Sequence, residues 1–160
     1  MNDYELYRAK AQIDLRAIRQ NLLNICKKLP ENSSAIAVVK AQAYGHGATQ
    51  VSAVLEDLVS AFAVAVPSEG EELRAAGIKK PIYILGYSHP SSYRSIIECE
   101  MIPAIYKYED ALAISKIAVE CSKSVKINIK VDTGMRRIGF EPTAESADVV
   151  AKIASLKGIK

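Results

Sequence analysis

Two short segments carry side chains whose types and spacing suit chemistry. Residues 38–47 read Val-Val-Lys-Ala-Gln-Ala-Tyr-Gly-His-Gly, so Lys40 ends an apolar run and meets a glycine-rich turn. A lysine amine that is partly desolvated in such a place can form a Schiff base with a carbonyl compound. Gly45 and Gly47 would let backbone amides approach an anion, and the Tyr44 hydroxyl would add a donor. The competing reading is a strand-end lysine that is simply solvated. Residues 130–140 read Lys-Val-Asp-Thr-Gly-Met-Arg-Arg-Ile-Gly-Phe. Alternation sets Asn128, Lys130 and Asp132 opposite Ile127, Ile129 and Val131. Three polar residues on one inward face are too costly unless they are paired or serve a site. Arg136 or Arg137, on a glycine-flanked turn, suits a phenolate, carboxylate or phosphate. A solvated turn with flanking charges is the alternative.

Both segments need elements to hold them, and the apolar pattern supplies these. Ile18, Leu22, Ile25 and Leu29 recur at helical spacing before Pro30. Residues 35–39 form a continuous apolar run, expected to be a strand buried on both faces. Val51, Val54, Leu55 and Leu58 mark the next helix, and residues 61–66 the next buried strand. Ser68 is expected to open an acidic helix carrying Glu69, Glu71 and Glu72 near its positive end. Residues 82–85 form a third strand, and residues 90–98 a short helix. Residues 102–106 make a poor fourth strand because Pro103 lacks a donor. A helix over 108–121, an alternating strand over 125–131 and a helix over 143–156 follow. Residues 158–160 resemble the start of another strand.

This βαβα order implies a parallel sheet with helices outside, either a doubly wound open sheet or part of a (β/α)8 TIM-type barrel. Catalytic groups of such barrels sit at the C-terminal strand ends, where Lys40 and Lys130 fall. The 160 residues give about five βα units of eight, too few for a full barrel of about 250 residues. The sequence is therefore expected to be an incomplete portion of a longer enzyme. A net charge of +3 without a polybasic run is too small to imply a nucleic-acid or membrane partner, and neither is expected. Cys26, Cys99 and Cys121 are far apart, form no CxxC pair and are expected to be buried free thiols. No metal site is expected. Residues 1–5 lack a signal-peptide pattern, so the expected compartment is the cytoplasm.

Residues 39–47 resemble the pyridoxal 5'-phosphate (PLP) lysine signature of alanine racemases, and residues 130–139 their second signature. Ala11-x-Ile-Asp-Leu-x-Ala-Ile-Arg-x-Asn-Leu22 resembles the family's opening, so the resemblance runs over essentially the whole chain. It implies a PLP-dependent isomerase of fold type III that interconverts L- and D-alanine through a Lys-PLP aldimine and an α-carbanion. D-alanine is a peptidoglycan precursor. By the resemblance, Lys40 carries PLP and acts as the base on one face of the α-carbon. Tyr44 bonds the cofactor phosphate. Arg137 contacts the phenolic oxygen and the substrate carboxylate. Lys130, carbamylated in many members, orients that arginine. The second base is a tyrosine from the partner subunit of a homodimer, in a C-terminal region beyond residue 160. The rest of the barrel and a C-terminal β domain also lie there.

Gln42 stands where the family more often has Asn or Asp, and Arg136 where small or polar residues are usual. His46 is expected to support the loop by hydrogen bonding, Arg136 to point to solvent and His89 to lie at the surface. Rival functions of the same fold are a PLP-binding homeostasis-type carrier without strong catalysis and a serine racemase. The long Tyr-Gly-His-Gly turn argues against a related decarboxylase. The 160 residues alone are expected to be inactive, and poorly stable or oligomeric.

Overall fold

The computed structural model describes residues 10–160. The reading of residues 1–5 lies outside them. The elements alternate: α1 (Leu15–Cys26), β1 (Ile36–Val38), α2 (Lys40–Gly45), α3 (Ala48–Leu55), β2 (Ala61–Val64), α4 (Pro67–Ala75) and β3 (Ile82–Ile84). They continue with α5 (Tyr93–Glu98), β4 (Met101–Ile105), α6 (Tyr108–Glu120), β5 (Asn128–Ile129) and α7 (Ala144–Ala154). All strand pairs are parallel, in the order β1-β2-β3-β4-β5. That order never reverses. A doubly wound sheet needs a reversal at its switch point, so the arrangement is that of successive staves of a (β/α)8 barrel. A parallel bridge between Val125 and Ile159 begins the next stave, as residues 158–160 suggested.

The core lies between the sheet and its helices. Phe62, Val64, Ile82 and Ile84 project from β2 and β3 onto Leu73 of α4, Ile96 and Ile97 of α5 and Ile114 of α6. A smaller cluster joins Ile105 of β4 to Ala111 of α6 and Ile153 of α7. Burying each large aliphatic side chain contributes about 1.5–3 kcal/mol.

Five expectations need correction. β1 is not buried on both faces: Ile36 and Val38 are 48% and 51% exposed, because β1 is an edge strand and only its alternate residues meet helices. Ile25 is also exposed, as α1 turns Ile18 and Leu22 to the core instead. β4 is a sound strand, buried throughout its five residues. Lys130 donates its N–H to Ile105 O, so alternation turns the backbone of 103 toward β5 too. The β4–β5 ladder begins only at Ala104 opposite Asn128, so Pro103 removes no ladder bond. The acidic helix starts at Pro67, whose fixed φ suits the first helical position, with Val66 as cap in place of Ser68. The three cysteines are free but half-buried. Among the described residues no helix is long and apolar enough to cross a membrane, and no group of potential metal ligands occurs.

Candidate active site

Register places the chemistry on one face of the sheet. Val38 pairs with Ala63, Ala63 with Tyr83 and Tyr83 with Ile102, a row on the face away from the core helices. One step further toward the C-terminal ends, alternation sets Ala65, Leu85, Ala104 and Asn128 level with Lys40. Lys130 follows Asn128 on this face, and Tyr87 and Tyr106 stand at the same end with ring centroids 6.5 Å apart. The face is an apolar floor with small side chains at Ala63, Ala65 and Ala104, edged by amine, amide and phenol groups. β3 packs tightly on β2 here: a Cβ on Gly86 would meet the Ala65 carbonyl oxygen at 2.5 Å.

Lys40 opens α2, a single turn wound left-handed. Ala41, Gln42, Ala43 and Tyr44 all have φ between 50 and 55°. Such a conformation costs about 1–2 kcal/mol per L-residue and persists only where the surroundings enforce it. The surroundings do so. Ala43 N–H donates to Val39 O at 2.9 Å and Gly47 N–H to Gln42 O at 3.0 Å. His46 Nδ1–H donates to Ala43 O at 2.8 Å, the loop support expected of it. Ala41 N–H donates to Glu69 Oε1 at 2.6 Å. Gln42 Nε2 donates to both oxygens of Glu72, at 3.0 and 2.8 Å, and its own Oε1 accepts from Ala48 N–H at 3.3 Å. The turn leaves Lys40 half-buried and holds Tyr44 outward, 70% exposed.

The second segment is built round one carboxylate. Asp132 Oδ1 accepts from the N–H groups of Gly134 and Arg136, at 2.9 and 3.0 Å, and Oδ2 from that of Arg137 at 3.0 Å. These backbone bonds, that from Gly134 foremost, hold the Asp132 carboxyl below its ordinary pKa. Lys130 and Phe140 close the base of the loop: Phe140 N–H donates to Lys130 O and Asp132 N–H to Phe140 O, both at 2.8 Å. Gly139, at φ +143°, lies so close to the Asp132 backbone that no Cβ fits. Arg136 and Arg137 are both exposed on this loop, Arg136 as expected.

Lys40 and Tyr44 thus share one turn after β1, while Lys130 and Arg137 share one loop after β5. Both groups lie at the C-terminal end of the sheet, on its two outer strands, and no hydrogen bond joins them among the described residues. Four strand spacings along a flat sheet come to roughly 19 Å, which the curvature of a barrel shortens. His89 is exposed, as expected; its Nδ1 accepts from Ser91 N–H at 3.3 Å and caps a short turn. Sequence reasoning missed Glu69 and Glu72, which read as acids suited to a helix dipole. The only signal was their spacing of three, which puts both on one side of α4.

By donor chemistry, the Lys40 amine, the Tyr44 hydroxyl and the Arg137 guanidinium, all at one end of the sheet, fit an anionic, aldehyde-bearing aromatic such as PLP.

Comparison with known proteins shows the family. The alanine racemase N-terminal domain family matches residues 13–160. The alanine racemase of Geobacter sp. (strain M21) is 42% identical over 152 residues, covering 93% of this chain and 40% of that protein. The solved structure of Clostridium difficile 630 alanine racemase in complex with cycloserine has a TM-score of 0.91 at 38% identity, covering 92% of this chain and 41% of the other. A histidine racemase from Leuconostoc mesenteroides subsp. sake has a TM-score of 0.82 at 25% identity, covering 92% of this chain and 40% of the other. This chain spans about 40% of the length of the curated relatives it matches. With that match running from residue 13 to residue 160 through both signature segments, the chain belongs to the alanine racemase N-terminal domain family.

Proposed function

We propose that the chain supplies the cofactor-bearing half of a PLP-dependent alanine racemase. The observation that carries this is the placement of Lys40 with Tyr44, and of Lys130 with Arg137, at the C-terminal end of one parallel sheet. In this reading Lys40 holds the cofactor through its Nζ and moves a proton at one face of the substrate α-carbon. Tyr44 Oη donates to the phosphate. Arg137 donates to the phenolic oxygen and meets the substrate carboxylate. Lys130 orients Arg137, most strongly if it is carbamylated, since a carbamate sets an anion beside the guanidinium. PLP, when bound, supplies an electron sink for charge developing at the α-carbon.

Inversion needs a second acid–base group on the opposite face. The resemblance to the family assigns that role to a tyrosine of the partner subunit in a homodimer, and this reading adopts it. The domain assignment belongs to the same proposal: residues 1–160 act as the N-terminal part of a PLP-binding barrel, in a cytoplasmic enzyme making D-alanine. A second substrate has one observation behind it, the histidine racemase of like fold. Alanine is favoured because alanine racemases stand among the relatives at 42–44% identity.

The test is a chiral assay of the full-length protein with PLP, offering L-alanine, L-serine and L-histidine separately. The expected result is fastest racemisation of alanine, and a drop of roughly 10²–10⁴-fold in Lys40→Ala, the range for loss of a positioned acid–base group. Wild-type rates in Lys40→Ala would overturn the role of Lys40. Faster turnover of serine or histidine would move the substrate assignment.

A further inference from the structure

The left-handed turn that carries Lys40 is fastened from the neighbouring βα unit by two carboxylates of α4, and one of them also holds the end of β2. Glu69 lies in the first turn of α4. Its Oε1 accepts from Ala41 N–H at 2.6 Å. Its Oε2 accepts from Ala65 N–H at 2.7 Å and from Val66 N–H at 3.3 Å. Ala41 directly follows Lys40, and Ala65 lies level with Lys40 at the exit of β2. The carboxylate therefore clamps the ends of two adjacent strands together at the height of the amine. Glu72, one turn further along α4, holds Gln42 through its side-chain amide.

We propose that Glu69 is a positioning residue for Lys40, its two carboxyl oxygens fixing the strained turn so that the amine is aimed over the apolar floor, with Glu72 acting on the same turn through Gln42. This rests on the reading of Lys40 as the PLP lysine. All the donors facing Glu69 are backbone N–H groups, which cannot be rearranged. Only an acceptor-only group satisfies them from both of its oxygens. Glu69→Gln keeps size and shape but turns an NH₂ group toward one of those donors. The turn then loses a fastening at Ala41 or at Ala65.

The experiment reduces the full-length protein with borohydride at sub-saturating PLP and measures labelling of Lys40 relative to surface Lys79 by peptide mapping. In Glu69→Gln the ratio is expected to fall about tenfold, the low end for loss of a charge-assisted hydrogen bond, with an unchanged far-ultraviolet circular dichroism spectrum. Glu71→Gln removes the same charge from the same helix without touching the turn, and should label as wild type. Wild-type labelling in Glu69→Gln, or equal losses in both variants, overturns the positioning role and leaves the cofactor reading standing. Absence of Lys40 labelling in the wild type overturns the cofactor reading and this one with it. A second measurement needs no variant to fold. Amide hydrogen exchange of the wild type should find the Ala41 and Ala65 amides protected, and exchange of Ala41 at the rate of an unstructured peptide overturns the clamp.

Discussion

Single carboxylates set the backbone at both candidate segments. Asp132 gathers three N–H groups, so the loop bearing Arg137 depends on its charge. Its folded pKa lies below the ordinary value, so its contribution is present above the ordinary carboxylate range. That contribution is lost as pH falls through the folded pKa. Loop order at 133–137 should accordingly hold at neutral pH and decay only in acid, which amide exchange across a pH series would show. Asp132→Asn keeps one acceptor and faces an NH₂ group to another donor. It should speed exchange of the Arg137 amide roughly tenfold at neutral pH. Unchanged exchange would mean that the loop is held by something else. Lys40, Tyr44, Lys130 and Arg137 were legible in the sequence through resemblance to two family signatures; the residues alone leave a solvated lysine and a choice between Arg136 and Arg137 open. Glu69 was not, since an acid in a first helical turn already has an ordinary explanation.

Elements were legible where pattern and environment agree, as in α6 and α7. Thr143 caps α7 by accepting from Ser146 N–H, at a boundary the sequence placed within a residue. The left-handed α2 could not be read. Four successive non-glycine residues at positive φ contradict local preference, and bonds from Glu69 and Glu72 of another element help to enforce them. The strand-like alternation over 125–131 yields just a two-residue ladder on β4, with isolated bridges from Val125 to Ile159 and from Val131 to Phe140 on either side of it. Gly139 is the point on which the Arg137 loop turns. Gly139→Ala should cost about 2–3 kcal/mol, from a strained φ and a clash with the Asp132 backbone. It should also weaken PLP binding through displacement of Arg137. Urea denaturation and a cofactor titration check the two halves, and a neutral substitution would contradict the close approach.

Across the whole molecule the two ends of the sheet divide their tasks, as barrels do. The C-terminal end carries the candidate site. The N-terminal end carries a structural knot, where the Arg74 guanidinium donates to the carbonyls of Ile78, Lys80, Cys99 and Glu100 at 2.7–3.3 Å. Arg74→Met should therefore destabilise by about 2–3 kcal/mol, as a charged donor to several carbonyls is lost, without changing which lysine takes PLP. The exposed row at Ile36 and Val38 makes β1 a sticky edge. Residues 1–160 expressed alone should self-associate, and Val38→Lys should shift sedimentation toward monomer; a monomeric wild type would contradict this. The fold class was legible at this scale from βαβα order alone. The choice between a barrel and an open sheet needed the strand order, which periodicity does not encode.

The central claim is that Lys40 is the cofactor lysine. Its most direct test is to incubate the full-length protein with PLP, reduce with borohydride and map the modified peptide by mass spectrometry. The account predicts modification at Lys40, saturating at one label per chain, well before surface lysines such as Lys79 and Lys123 react. Labelling spread evenly over the surface lysines, with none at Lys40, would contradict it.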